Sequence, residues 1–292
     1  MARDTDLSSN ERAFLLEALH KNVRLDGRAF DQFRPLNLTF GDEYGHVRVQ
    51  LGRTSVVVRI SAEVTAPRPE RDSDGTFTVA IELNDMAVPG FETGRQSDLE
   101  AQLSRTLDKI VRRSNALDTE SLCISKGLSC WNVRADVHIV DADGGLVDVC
   151  CLAIMTGLLH FRVLESTVRD GKVTVYAPEE KVPVPLNLTK LPLSITFNLY
   201  NEGKITLLDA TSSEEAVSEG SVVIALDKTG EIALYTKAEG TPADPLNMVS
   251  CSAAALAKVR DLNALIQKRL EEDLKKRDPK GLRTESSAAN ER

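Results

Sequence analysis

Residues 141–153, Asp-Ala-Asp-Gly-Gly-Leu-Val-Asp-Val-Cys-Cys-Leu-Ala, have the layout of an anion cradle. An acidic, glycine-rich turn runs straight into an apolar segment. Such a turn offers unpaired backbone N–H groups at a helix N-terminus, where the helix dipole also favours negative charge. A turn that holds phosphate for chemistry adds a hydroxyl and a fixed cation. Here Gly144 and Gly145 are followed by Leu146 and Val147, which supply neither. The turn is an active site or the remnant of one.

A second group carries charge. Over 97–114, Leu99, Leu103, Leu107, Ile110 and Val111 recur at helical spacing and predict a core-facing stripe. Arg105, Lys109, Arg112 and Arg113, at i, i+4, i+7 and i+8, fall on the opposite side. Four stacked cations suit a solvated helix face, and they equally suit contacts to a nucleic-acid backbone. Gly94-Arg95-Gln96 precedes this helix, but one glycine and one arginine make a weak anion loop, and Ser97-Asp98 reads better as an N-cap region. Asp26-Gly27-Arg28 reads as a charged turn in which Arg28 pairs an acid. Five cysteines without a CxxC pair and four scattered histidines predict no disulfide framework, no metal site and no cofactor.

The elements that must position these groups alternate in type. Ser8 to Glu11 form a capping box that opens a helix through about Lys21. Strands are expected at 46–52, 54–64 and 76–83, with a charged, proline-containing loop over 66–75. A long strand over 128–140 leads into the turn, and an apolar helix follows from about Val147 to Phe161. Further strands are expected at 172–176, 191–200, 204–210, 221–227 and 231–238, and a last helix at 247–276. The fold class is α+β. Expected divisions are an N-terminal helical extension (1–21), a first domain (22–186), a second (187–277) and a disordered polar tail (278–292).

At 292 residues the chain can bury a substantial core, and its mean hydropathy of −0.19 is that of an ordinary globular protein. No apolar run approaches the roughly 18 residues of a membrane span. The polar N-terminus lacks a signal-peptide core, so an intracellular location is expected. A net charge of −8 argues against a general nucleic-acid coat, though not against a local basic strip.

The landmarks RLDGRAFDQFRP (24–35), GRTSVVVRISAEV (52–64), GRQSDLEAQLSRTLDKIVRRS (94–114) and ADVHIVDADGGLVD (135–148) together resemble the RNase PH family of phosphorolytic exoribonuclease folds. NERAFLLEAL, FETGRQSDLE, LDTESLC and YAPEEKVPVPLNL narrow the likeness to a ring subunit of the eukaryotic RNA exosome. The resemblance implies two related α+β halves, the first like domain 2 of ribosomal protein S5. It implies a six-membered hetero-ring of RNase PH-type subunits around single-stranded RNA. Cap subunits with S1 or KH domains, attached hydrolytic nucleases, and residence in nucleus, nucleolus and cytoplasm follow from it too.

Active members of that family have Gly, then Thr or Ser, then Arg in the turn. Mapped here, the hydroxyl falls on Leu146 and the arginine on Val147. Active members also carry two aspartates before the first strand of the second half, whereas 172–201 holds only the adjacent Glu179 and Glu180, a poor acid pair. The expected role is a non-catalytic scaffold in which the Arg105–Arg113 stripe guides RNA. The alternatives are an active phosphorolytic exoribonuclease and a free-standing RNA-binding module, the latter disfavoured by sparse aromatics.

Overall fold

The computed structural model describes residues 7–84, 87, 98–169, 172–177, 180–238, 240, 242 and 244–277. The expected tail (278–292), Gly94-Arg95-Gln96 and Glu179 lie outside them.

Helix α1 (Ser9–His20) starts at the expected capping box, Ser8 accepting the Glu11 N–H while the Glu11 carboxylate accepts the Ser8 N–H. Strands β1 (Leu36–Phe40), β2 (His46–Leu51), β3 (Thr54–Thr65) and β4 (Thr76–Leu83) follow, then helix α2 (Asp98–Arg113). Next come β5 (Cys123–Ser125), β6 (Ser129–Asp141) and helix α3 (Leu146–His160). Short strands β7 (Arg162–Val163), β8 (Ser166–Arg169), β9 (Lys172–Val175) and β10 (Val184–Pro185) lead to the second half. That half comprises β11 (Leu193–Tyr200), β12 (Ile205–Leu208), the single turn α4 (Ser212–Glu215), β13 (Gly220–Leu226), β14 (Ile232–Ala238) and α5 (Pro245–Arg277).

The first sheet has the order β1-β2-β3-β6-β4, with β5 also paired to β6, and only β4 runs parallel to its neighbour. The second sheet is antiparallel, β12-β11-β13-β14. Strict alternation drives the first: Val47, Val49 and Leu51 of β2 and Val56, Val58 and Ile60 of β3 point inward. Helix α3 packs against β2 and β3 on one side and β11 on the other. It is therefore apolar all round, with Val149 to Leu158 buried. Gly157 permits this closeness, because a Cβ there would lie 3.1 Å from Ile60 Cγ1.

Two expectations are corrected. Leu36–Phe40 pairs with β2 as an edge strand that was not anticipated. Leu99 is exposed, because the first turn of α2 turns Glu100 inward instead, where its carboxylate accepts the Leu83 N–H at 2.8 Å.

The far end of α5 is latched to the first sheet. His160 Nδ1 accepts the Gly45 N–H at 3.0 Å, so its Nε2–H faces Asp273 Oδ2 at 3.2 Å. Burial and the nearby Arg277 charge push the imidazole down to about 4, which keeps it neutral. Arg277 pairs with Asp273, donates to the Gly41 and Asp42 carbonyls, and lies over the Tyr44 ring. Asp273→Ala strips the acceptor from both groups and is expected to cost about 1–3 kcal/mol in urea unfolding. Asp273→Asn, which retains an acceptor oxygen, should lose less.

Candidate functional site

The turn Gly144-Gly145 is built as the sequence suggests, but its surroundings are not those of an open cradle. Both glycines have positive φ, 75° and 67°. A Cβ on Gly144 would meet the Ala210 carbonyl oxygen at 2.5 Å, and one on Gly145 would meet Arg34 Nη2 at 3.0 Å. These glycines are demanded by close packing against the second half.

Arg34, buried just ahead of β1, is the cation that touches the turn. Its Nε donates to both oxygens of Asp209 (3.0 and 3.1 Å), and one Nη2 hydrogen to Asp209 Oδ1 at 2.7 Å. The other Nη2 hydrogen goes to the Gly144 carbonyl (3.1 Å), and Nη1 donates to the Asp143 carbonyl and Thr54 Oγ1. A guanidinium has five N–H donors, and all five are committed. Thr54 completes the knot, donating to the Gly144 carbonyl at 2.9 Å and accepting the Asp143 N–H at 3.1 Å.

Two more arginines join the halves. Arg28 bridges Asp26 and Asp209, which matches the charged turn read from sequence. Arg24, wholly buried, grips Glu214 with two hydrogen bonds of 3.1 and 2.7 Å and also reaches the Leu208 and Asp209 carbonyls. The carboxylates that converge near the turn are thus Asp209, Glu214 and Glu215, which follow β12. Glu180 is exposed. Sequence reading missed Arg24, Arg34 and these acids; the signal available was the density of arginines in RLDGRAFDQFRP.

The anion seat itself is filled from within. Glu215 Oε1 accepts the Gly145 N–H at 2.8 Å. Leu146 and Val147, the positions mapped to the hydroxyl and the cation, pack against the main core. Asp148 is buried and accepts both the Thr196 N–H (2.7 Å) and its hydroxyl (2.8 Å). Burial raises Glu215 to about 7 and Asp148 to about 6.

Arg105, Lys109, Arg112 and Arg113 are all exposed on α2. Arg112 pairs with Asp108 at 2.8 Å and lines a cleft of ≈ 510 Å³ together with Arg68, Glu70, Arg71 and Asp74 of the β3–β4 loop. None of residues 144–147 lines that cleft. Among the described residues, no cluster of His, Cys, Asp and Glu could hold a metal ion. No described helix is long and apolar enough to cross a membrane.

Two tandem α+β units around a turn of this shape define a class. The chain matches the 3′ exoribonuclease family, domain 1 over residues 32–163 and domain 2 over 190–258, and it belongs to that family, the RNase PH family. It is similar to exosome complex component rrp45 of Schizosaccharomyces pombe, 45% identical over all of both chains. Exosome complex component RRP45 of Saccharomyces cerevisiae is 40% identical, with 95% of each chain covered. Among solved structures it is similar to a chain of the Archaeoglobus fulgidus exosome with RNA bound to the active site. That match has a TM-score of 0.77 and 28% identity, and covers 87% of this chain and 97% of the other.

Because Glu215 has a folded pKa of about 7 against an ordinary 4.5, the folded state holds a proton there that the unfolded chain releases. The stabilisation is complete below about pH 4.5 and is lost as pH rises through 7. Glu215→Gln keeps the acceptor for Gly145 without the charge. Its stability relative to wild type should therefore climb between pH 5 and 8 in urea unfolding. A constant difference would show that the carboxyl titrates normally.

Proposed function

We propose that this chain is an RRP45-type ring subunit of an RNA exosome that has no phosphorolytic site of its own. It supports 3′-to-5′ RNA processing and decay by nucleases attached to the ring. The observation that carries this reading is the filled seat at the start of α3. The Gly145 N–H is taken by Glu215, Arg34 has no donor left, and Leu146 and Val147 face the core. Phosphate would have to displace a carboxylate and find a second cation, and the loss of one arginine from a transition-state clamp already costs several kcal/mol.

Activity at this turn is the competing reading. It requires a free cation to hold phosphate, and Arg34, the cation at the turn, has every donor committed to Asp209, Gly144, Asp143 and Thr54. The partners that follow from the ring role are the other RNase PH-type subunits, S1/KH cap subunits, hydrolytic nucleases and single-stranded RNA. The exposed stripe Arg105, Lys109, Arg112 and Arg113 is the RNA-facing part of this subunit, making sequence-independent backbone contacts.

Purified chain, alone and with its ring neighbours, should release no nucleoside diphosphates from RNA when inorganic phosphate is supplied. Release that disappears on Glu215→Ala or Arg34→Ala substitution would establish a working site here. In the assembled ring, Arg112→Glu with Arg113→Glu should weaken oligoribonucleotide binding and flatten its dependence on salt by about two phosphate contacts. An unchanged salt slope would remove the stripe from the RNA path.

A further inference from the structure

The five cysteines differ sharply in setting. Cys150 and Cys151 lie inside α3, and Cys251 lies on the buried face of α5. Burial raises all three thiols above the ordinary cysteine range, so they stay protonated and unreactive. The remaining two, Cys123 on β5 and Cys130 on β6, are direct Cα partners across an antiparallel ladder. Side chains at such positions share one face of the sheet. The Cα separation of opposed antiparallel residues, about 4.5–5.5 Å, falls within the span a disulfide bridges. Cys123 is half-buried, whereas its ladder partner Cys130 is buried.

We propose that Cys123 and Cys130 form a thiol-modification site that closes into an intrachain cross-strand disulfide on oxidation by peroxide. The Cys123 thiolate attacks one oxygen of hydrogen peroxide, giving a sulfenic acid and releasing hydroxide. Cys130 sulfur, losing its proton, then displaces hydroxide from the Cys123 sulfur. The sum converts two thiols and one peroxide into one disulfide and two waters, two electrons passing from sulfur to oxygen. A bridge between directly opposed strand positions is strained and is readily reopened by a dithiol.

The hairpin it closes supports the cationic cleft. At its tip Gly127 N–H donates to the Asp72 carbonyl at 2.9 Å, and Leu122 packs where any Cβ on Gly75 would have to sit. Gly75 N–H in turn donates to the Thr119 carbonyl at 2.8 Å. Thr119 and Gly75 line the same cleft as Arg68, Arg71 and Arg112, so oxidation stiffens one wall of it.

The sequence supplies its own assay, because Lys126 lies between the two cysteines. Full-length protein is exposed to stoichiometric hydrogen peroxide, quenched with catalase, unfolded, alkylated with N-ethylmaleimide and cut with trypsin. Oxidised wild type should yield peptides 114–126 and 127–134 joined, two hydrogens lighter than their sum, and separated again by dithiothreitol. Cys123→Ser should yield neither the joined pair nor any other bridged peptide of Cys130. Recovery of Cys123 as a sulfinic acid, or both cysteines alkylated while other thiols are consumed, would overturn the proposal. So would a bridge from either cysteine to Cys150, Cys151 or Cys251. Loss of folding in Cys123→Ser would not blur the outcome, since the joined peptides are read in the wild-type chain.

Discussion

The carboxylate of Asp209 is the point on which both halves of the molecule depend. It sits in the left-handed backbone region, φ 49°, a conformation that aspartate tolerates better than most residues. From there it accepts from the Arg34 guanidinium and backbone N–H and from Arg28, all of which belong to the first half. Buried charges are tolerable only when paired and fully hydrogen-bonded, and this one is. Removing any member would leave the others desolvated and unmatched. The register between the two sheets is therefore set by an electrostatic constraint more specific than the apolar contacts of α3, which would allow small slides.

The same constraint decides what the start of α3 can do. A helix N-terminus seeks an acceptor for its free N–H groups, and here the chain supplies one internally through the Glu215 carboxyl. Arg34 lies against the Gly144 carbonyl, where a phosphate would want a cation, yet every donor it has is spent on fold-forming contacts. The raised pKa of Glu215 records what this costs, since its charge is held near Asp148 and Asp209 in a poorly solvated space. The pairing of the two halves and the occupation of the turn thus have one physical cause.

Much of the fold was legible because periodicity is local. Strands β2, β3, β4 and β6 and helices α2, α3 and α5 fall within a few residues of where alternation and helical spacing put them. Strand β1 was not anticipated, being a five-residue edge strand preceding a stronger alternating run. Leu99 was misassigned because a heptad-like count ignores that a first-turn carboxylate can cap a neighbouring strand end. The turn was found because its glycines are contiguous. The network around it was not, because Arg34 and Asp209 are 175 residues apart and no spacing rule joins them.

The backbone of the turn and the side chains that follow it answer to different requirements. The backbone path through Gly144 and Gly145 is demanded by the approach of Ala210 and Arg34, so it would be kept by any sequence with this arrangement of halves. The side chains at 146 and 147 are under a different demand. A hydroxyl and a guanidinium there would each need a polar partner, and without a bound anion they would sit beside the main core unsatisfied. Leucine and valine remove that cost and add packing against the core. Where no anion is bound, elementary energetics favours aliphatic residues at these two positions while leaving the glycines in place. The glycines at 144 and 145 and the aliphatic pair at 146 and 147 are therefore each what packing at their own position asks for.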